Sequence, residues 1–269
     1  MSQNAFICVE CGTQFRESAD PPPNCPICQD ERQYVPAHGQ RWTTLRDLLP
    51  HFEVLIREAD ERLYRIYVRP KFAIGQQAYL IQAPEGNILW DCITQVDTGT
   101  VSAIWAHGGI SAIAISHPHY YSSMIEWSRA FGGVPIYLHV EDRSWVQRDD
   151  KVIEYWGGDT KDLQPGVTLI RCGGHFAGGT VLHWAQGSGG KGVLLPGDVM
   201  QVCPDRKHFS FMYSYPNFIP LNAAAVRRIV NALEPFPFEQ AFGAFGSVIE
   251  SGASLALRRS AERYLRAIS

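Results

Sequence analysis

From residue 63 onward the chain is built of short apolar runs, each bounded by turn-forming residues. Leu63-Tyr-Arg-Ile-Tyr-Val68, Gln77-Ala-Tyr-Leu-Ile81 and Asn87-Ile-Leu-Trp90 are rich in β-branched and aromatic residues. They read as consecutive strands of a meander, with Pro84-Glu-Gly86 as the turn between the last two. Ala112-Ile-Ala-Ile-Ser116 reads as a short buried strand that stops at His117-Pro118. Met124, Trp127 and Phe131 recur at i, i+3 and i+7, which predicts a helix, and Val134-Pro-Ile-Tyr-Leu138 is again a strand. Val167–Ile170, Thr180–Trp184 and Gly192–Leu195 predict three more strands. Val226, Ile229, Val230 and Leu233 mark one face of a helix that ends before Pro235. A last helix gathers Leu257, Ala261, Tyr264, Leu265 and Ile268 on one face and Arg258, Arg259, Glu262, Arg263 and Arg266 on the other. Strands alternating with helices predict a layered α/β domain.

The first fifty residues lack this texture. They carry Cys8-Val-Glu-Cys11-Gly and Cys25-Pro-Ile-Cys28, separated by a polar stretch ending in three prolines. Such a segment is too short to fold on an apolar core and needs a staple. Two Cys-x-x-Cys pairs place four thiolates on two tight turns, and Gly12 suits the backbone of the first. Four sulfurs at about 2.3 Å close a tetrahedral zinc site with no open position. Iron in the same four-cysteine cage is the alternative. A closed site does no hydrolytic chemistry, so its expected role is folding, docking of a protein partner, or homodimerisation. The expected organisation is a zinc ribbon over 1–35, a linker over 36–51 and a single larger domain over 52–269. Within the linker, Trp42–Leu49 reads as one or two helical turns closed by Pro50. The ribbon is expected to stand apart from the larger domain.

Composition narrows the class. The chain has 269 residues, 45% of them apolar, enough for one sizeable core and a small appendage. A net charge of −3 advertises neither a nucleic-acid nor an anionic-membrane partner. No stretch approaches the roughly 20 apolar residues of a membrane span, and Met1–Glu10 has no basic n-region, so a cytoplasmic protein is expected. Seven cysteines, four of them crowded at one end, do not make a secreted disulfide framework. Cys92, Cys172 and Cys203 read as packing residues.

A second constellation lies in the larger domain. His117-Pro-His119-Tyr-Tyr121-Ser122 comes after a buried strand and opens a helix. Alternate residues of an extended segment point the same way, so His117 and His119 can share a metal. Gly173-Gly-His175 and Leu194-Leu-Pro-Gly197-Asp198 come later, and Asp91 ends an earlier strand. The bland reading of the first pair is two strand-end histidines with no metal. His38, His51, His107, His139 and His183 read as ordinary hydrogen-bonding histidines. His208, Tyr213 and Tyr215 come after Asp198, either in a solvated loop or within reach of the same pocket.

The ordered set of strand-end Asp, His-x-His, Gly-His and Gly-Asp resembles the metallo-β-lactamase superfamily, from about Phe52 to the C-terminus, preceded here by a rubredoxin-like ribbon. The resemblance implies a four-layer αββα sandwich. It implies metal binding by His117, His119 and His175, with Asp198 at the position that bridges two metals in the family. It also implies that Asp91 orients the ligand loop. The family's motif His-x-His-x-Asp-His continues with an aspartate and a histidine, where this chain has Tyr121 and Ser122. The family's late histidine is missing from Phe242-Gly-Ala-Phe245-Gly. One zinc or iron ion in the histidine site, not two, is therefore expected. The implied activity is that of a metal-dependent hydrolase acting on a small-molecule ester, thioester, lactone, amide or phosphodiester. Asp198 would act on the water, and Tyr121, with Ser122 beside it, would assist where the second metal is lost. A mononuclear iron oxygenase and a non-catalytic binding protein with a degenerate site are the alternatives.

Overall fold

The structure is a computed structural model and describes residues 4–269. The chain divides into two compact units. One runs to Leu138 and includes Arg143–Tyr155; the other comprises His139–Asp142 and Trp156–Ser269.

The first unit begins with β1 (Asn4–Cys8), β2 (Gln14–Ser18) and β3 (Trp42–Thr43), an antiparallel sheet with β1 in the middle. The helical turn α1 (Pro26–Gln29) starts directly after Cys25. The expected turn in the connector is α2 (Leu45–Leu48), capped by Thr44, whose side chain accepts from the Asp47 N–H. Next comes a seven-stranded sheet, with its strands side by side in chain order: β4 (Glu53–Asp60), β5 (Leu63–Arg69), β6 (Ala78–Ile81), β7 (Ile88–Trp90), β8 (Ala112–Ala114), β9 (Ile136–His139) and β10 (Ile153–Trp156). Strands β5 to β7 form the expected meander, β4 adds to its edge, and β7, β8 and β9 run parallel. Parallel neighbours need crossovers. These are α3 (Thr98–Ala106) and α4 (Met124–Ala130). Every residue of β6, β7 and β8 is buried, which is why they read as unbroken apolar runs.

The parallel register pairs Trp90 with Ala114. The chain therefore leaves β7 into Asp91 and leaves β8 into Ser116 and His117 at the same edge of the sheet. The ribbon does not stand apart as expected. Two buried side chains from loops of the seven-stranded sheet donate to it: Gln76 Nε2 to the Cys11 carbonyl at 2.6 Å and Thr94 Oγ1 to the Gly12 carbonyl at 3.0 Å. The Cys11–Gly12 turn has no strand partner for these carbonyls, so the loops satisfy them.

The second unit holds a six-stranded sheet. Its first strands are β11 (Thr160–Gln164), β12 (Val167–Arg171), β13 (Thr180–Trp184) and, after the short turn α5 (Gly187–Gly190), β14 (Val193–Leu195). Two small hairpins come next, β15 (Gln201–Val202) with β16 (Phe209–Ser210) and β17 (Met212–Ser214) with β18 (Ile219–Pro220). Helix α6 (Ala223–Leu233) leads to β19 (Gln240–Phe242), parallel to β14, and then come β20 (Val248–Ile249) and α7 (Ala253–Ile268). The α6 face anticipated from the apolar spacing buries Val226, Ile229 and Leu233. They pack with Leu194, Phe209, Phe211 and Leu257 in one core. Each such side chain contributes about 1.5–3 kcal/mol by leaving water. Among the described residues no helix is long and apolar enough to cross a membrane.

Candidate metal centres

The four cysteines converge. Cys8, Cys11, Cys25 and Cys28 are fully buried, and their sulfurs form one cluster. Cys8 Sγ lies 3.7 Å from Cys28 Sγ, and Cys11 Sγ lies 3.6 Å from Cys25 Sγ. A tetrahedron with bonds of about 2.3 Å has edges of about 3.8 Å, so the sulfur cage has the dimensions of a metal–thiolate site. With thiols alone the cage is in conflict: hydrogen bonds from Cys11, Cys25 and Cys28 hold the Cys8 thiol far below its usual range, while the same crowding and burial push Cys11 up. A dication removes that conflict by taking all four as thiolates. Gly12, at φ +81°, makes the left-handed turn after Cys11. Its N–H donates to the Cys8 carbonyl at 2.8 Å, closing the turn.

In the first unit, His117 and His119 are both buried, at the start of and within a short 3₁₀ turn, Pro118–Tyr120. Asp91 stands beside them at the strand edge. Its own N–H is fixed on the Ala114 carbonyl at 2.9 Å. Its Oδ1 accepts the Ser116 N–H at 2.8 Å and the Ser116 hydroxyl at 2.8 Å. Because Ser116 Oγ gives its proton to Asp91, it accepts at its 2.8 Å contact with His117 Nδ1. Nδ1 of His117 therefore carries a proton, and Nε2 keeps its lone pair for a metal. Asp91 is thus joined to the His117 ring through Ser116, which sequence reasoning did not single out.

In the second unit, His175 comes after β12 and two glycines and is buried. Its Nδ1 lies 2.8 Å from the Tyr213 carbonyl. A carbonyl only accepts, so this nitrogen is also protonated and Nε2 faces away with its lone pair. The Tyr215 ring lies 5.8 Å from the imidazole. Tyr213 and Tyr215 thus belong to the surroundings of His175. Asp198, after β14, is buried, and Gln201 Nε2 donates to its Oδ1 at 2.7 Å. Burial pushes its carboxyl up to about 7, against the pull of that hydrogen bond.

His117 and His119 in the first unit, and His175 and Asp198 in the second, are buried, and each offers one atom that could hold a metal. Two buried imidazoles in one unit, and a buried imidazole and carboxylate in the other, are donors of the kind that zinc and iron(II) take. Tyr121 and Ser122 are buried next to this group in sequence. The Ser122 hydroxyl donates to the Cys92 carbonyl at 3.2 Å, and its backbone sits in the left-handed region at φ +39°. Both residues line a small cavity with Thr13 and Gln14 of the ribbon and with Arg148. Phe245, in the stretch where the resemblance called for a late histidine, lies between β19 and β20 and is partly exposed.

Three of the remaining histidines, His139, His183 and His208, have other partners. His183 Nε2 lies 2.8 Å from the Pro237 carbonyl, His139 Nε2 lies 3.1 Å from the Gly158 carbonyl, and His208 Nδ1 pairs with Asp205 at 2.7 Å. Burial pushes the His139 and His183 imidazoles below their ordinary range, so both are held neutral.

No family model matches the sequence. The chain is 47% identical over 266 residues to the "Uncharacterized protein YmaE" of Bacillus subtilis (strain 168), covering 98% of this chain and 97% of that one. Among solved structures, the DIM-1 metallo-β-lactamase superposes with a TM-score of 0.62 at 14% identity, covering 81% of this chain and 99% of that one. A B3 metallo-β-lactamase with an active-site glutamic acid superposes with a TM-score of 0.55 at 17% identity, over 93% of this chain and 96% of that one. The fold is therefore the α/β metallo-β-lactamase sandwich, with a four-cysteine cluster near its N-terminus.

Proposed function

The chain belongs to the same family as YmaE of Bacillus subtilis (strain 168), and from its fold and its buried histidines we propose that it is a hydrolase working with a single pocket metal. The observation that carries this reading is the set of buried donors, His117 and His119 in the first unit and His175 and Asp198 in the second. They belong to a fold shared with metallo-β-lactamases. His117, His119 and His175 hold the ion, and Asp198 completes the set. A zinc ion so held supplies Lewis acidity and lowers the pKa of water from 15.7 toward about 7.

The chain's own residues supply the rest. Asp91 and Ser116 fix the His117 ring, and the Tyr213 carbonyl fixes the His175 ring. Gln201 holds one oxygen of Asp198 and leaves the other to accept a proton from the attacking water. Tyr121 is the candidate to hydrogen-bond the oxyanion or leaving group that a second metal stabilises elsewhere in the fold. Ser122 has its hydroxyl committed to Cys92 and takes no direct part. The substrate class is a small molecule with an ester, thioester, lactone, amide or phosphodiester bond. The four-cysteine ion is structural.

The test is hydrolysis of a panel of chromogenic ester, thioester, lactone and phosphodiester probes by the zinc-loaded protein. Turnover of one class that His119→Ala abolishes is the expected result. Iron in the pocket with oxygen consumption and no hydrolysis would replace this reading by an oxygenase.

A further inference from the structure

The side-chain amide of Gln76 carries two hydrogens, and the structure accounts for both. One goes to the carbonyl of Cys11, at 2.6 Å, and the other to the carbonyl of His119, at 3.0 Å. Cys11 belongs to the sulfur cage, and His119 is one of the two buried histidines on the loop after β8. A single buried amide therefore joins the backbone of a residue in one candidate metal centre to the backbone of a residue in the other. Gln76 is 5% exposed, so neither bond is diluted by competing water.

Two more bonds run in parallel with it. The Gln14 N–H donates to the Ser122 carbonyl at 2.9 Å. Thr94 Oγ1 donates to the Gly12 carbonyl at 3.0 Å. This approach leaves no room for a side chain, since a Cβ on Gly12 would lie 2.5 Å from Thr94 Oγ1. On the far side of Gln14, Arg148 bonds to the Gln14 side chain and to Glu126 of α4, the latter at 2.6 Å. The braced loop needs this support. Its 3₁₀ turn satisfies the Tyr120 and Tyr121 N–H groups, and the His119 carbonyl takes the Gln76 amide. Ser122, a non-glycine residue at φ +39°, holds a conformation that costs free energy and persists only where neighbours over-determine it. The braced stretch, 119–122, is also where this chain has Tyr121 and Ser122 in place of second-metal ligands.

We propose that the ribbon is the positioning element of the His119 loop, with Gln76 as the residue that transmits it, so that an intact four-cysteine centre sets how tightly the histidine pocket holds its ion. The inference rests on the reading that the pocket binds a metal. Outer hydrogen-bond partners of metal ligands are worth about 10–100-fold in metal affinity when removed. Here the partner, Gln76, comes from a loop of the seven-stranded sheet and is itself held by the ribbon's Cys11 carbonyl.

The experiment uses the full chain with zinc in the ribbon and a metal-free pocket, titrated with Co²⁺. Cobalt on imidazole and carboxylate gives visible d–d bands without the thiolate charge-transfer bands that cobalt in the ribbon would show. Gln76→Met keeps the volume and removes both donors. It is expected to weaken Co²⁺ binding in the pocket by about tenfold or more and to alter the d–d bands, with the ribbon zinc retained. Gln76→Asn, which keeps an amide too short to span both carbonyls, is expected to fall between. If Gln76→Met fails to fold, the wild type serves. Release of the ribbon zinc by stepwise titration of its thiols with an organomercurial should then loosen pocket cobalt and shift its spectrum. Affinity and spectrum unchanged in Gln76→Met, or unchanged on zinc release, would overturn the coupling. A wild type that takes no pocket cobalt at all would overturn the pocket reading itself, and the coupling with it.

Discussion

Ser116 Oγ lies 2.8 Å from His117 Nδ1 and hands its own proton to Asp91. The chain from carboxylate through hydroxyl to imidazole fixes the tautomer and the ring plane of a candidate metal ligand. It exists because parallel strands β7 and β8 end at the same sheet edge.

Ser116→Ala breaks this chain without adding bulk. Pocket metal affinity is expected to fall about 10–100-fold, measured by competition with a chromophoric chelator, while ribbon metal is unchanged. Asp91→Asn should cost less. Asn tolerates the left-handed φ of +61° at this position, and its carbonyl oxygen still accepts from Ser116.

Asp198 makes the metal-free protein sensitive to pH. Burial raises its carboxyl from the ordinary 3.8 to about 7, so the fold prefers it protonated. By linkage, this contribution to stability is fully present below about pH 4 and is lost as pH rises through about 7. Each unit of that shift is worth about 1.4 kcal/mol. Relative to Asp198→Asn, metal-free wild type should therefore lose a few kcal/mol of stability between pH 4 and pH 8, read from paired denaturant melts. Metal binding runs the other way. It needs the carboxylate, so pocket affinity should drop as pH falls below 7.

Placing at positions 121 and 122 the Asp and His of the motif that the sequence resembles should not create a second ion site. In Tyr121→Asp/Ser122→His the new imidazole must enter a buried position whose hydroxyl now satisfies the Cys92 carbonyl. The expected outcome is one pocket metal, as in the wild type, with stability lowered by about 1–3 kcal/mol from the lost bond. Metal analysis and a thermal melt check both parts.

Much of this was legible in the sequence because it is local. Two Cys-x-x-Cys pairs, His-Pro-His and Gly-Gly-His each fall within a few residues. Unbroken apolar runs marked β6, β8, β13 and β14. The residues that tune the site were not legible. Nothing in sequence links Gln76 to Cys11, 65 positions earlier. The Tyr213 carbonyl that holds His175 is a backbone atom, placed by a hairpin whose strands are two and three residues long. β4 escaped because it is an edge strand with residues exposed or half-buried throughout, and so lacks a clean alternation. α3 escaped because its apolar residues do not gather on one face, and only Thr100 and Ile104 are buried. The expectation of a free-standing ribbon failed for a related reason: the contacts that dock it are polar side chains in loops, invisible to apolar patterning.

The central claim is that the histidine group holds one metal beside the ribbon's own. Metal analysis of the full chain, loaded with zinc or iron and freed of excess, tests it most directly. The account predicts about two ions per chain in the wild type and about one in His119→Ala, the survivor being the thiolate-bound ion. A wild type holding only the ribbon ion, or a His119→Ala variant still holding both, would contradict it.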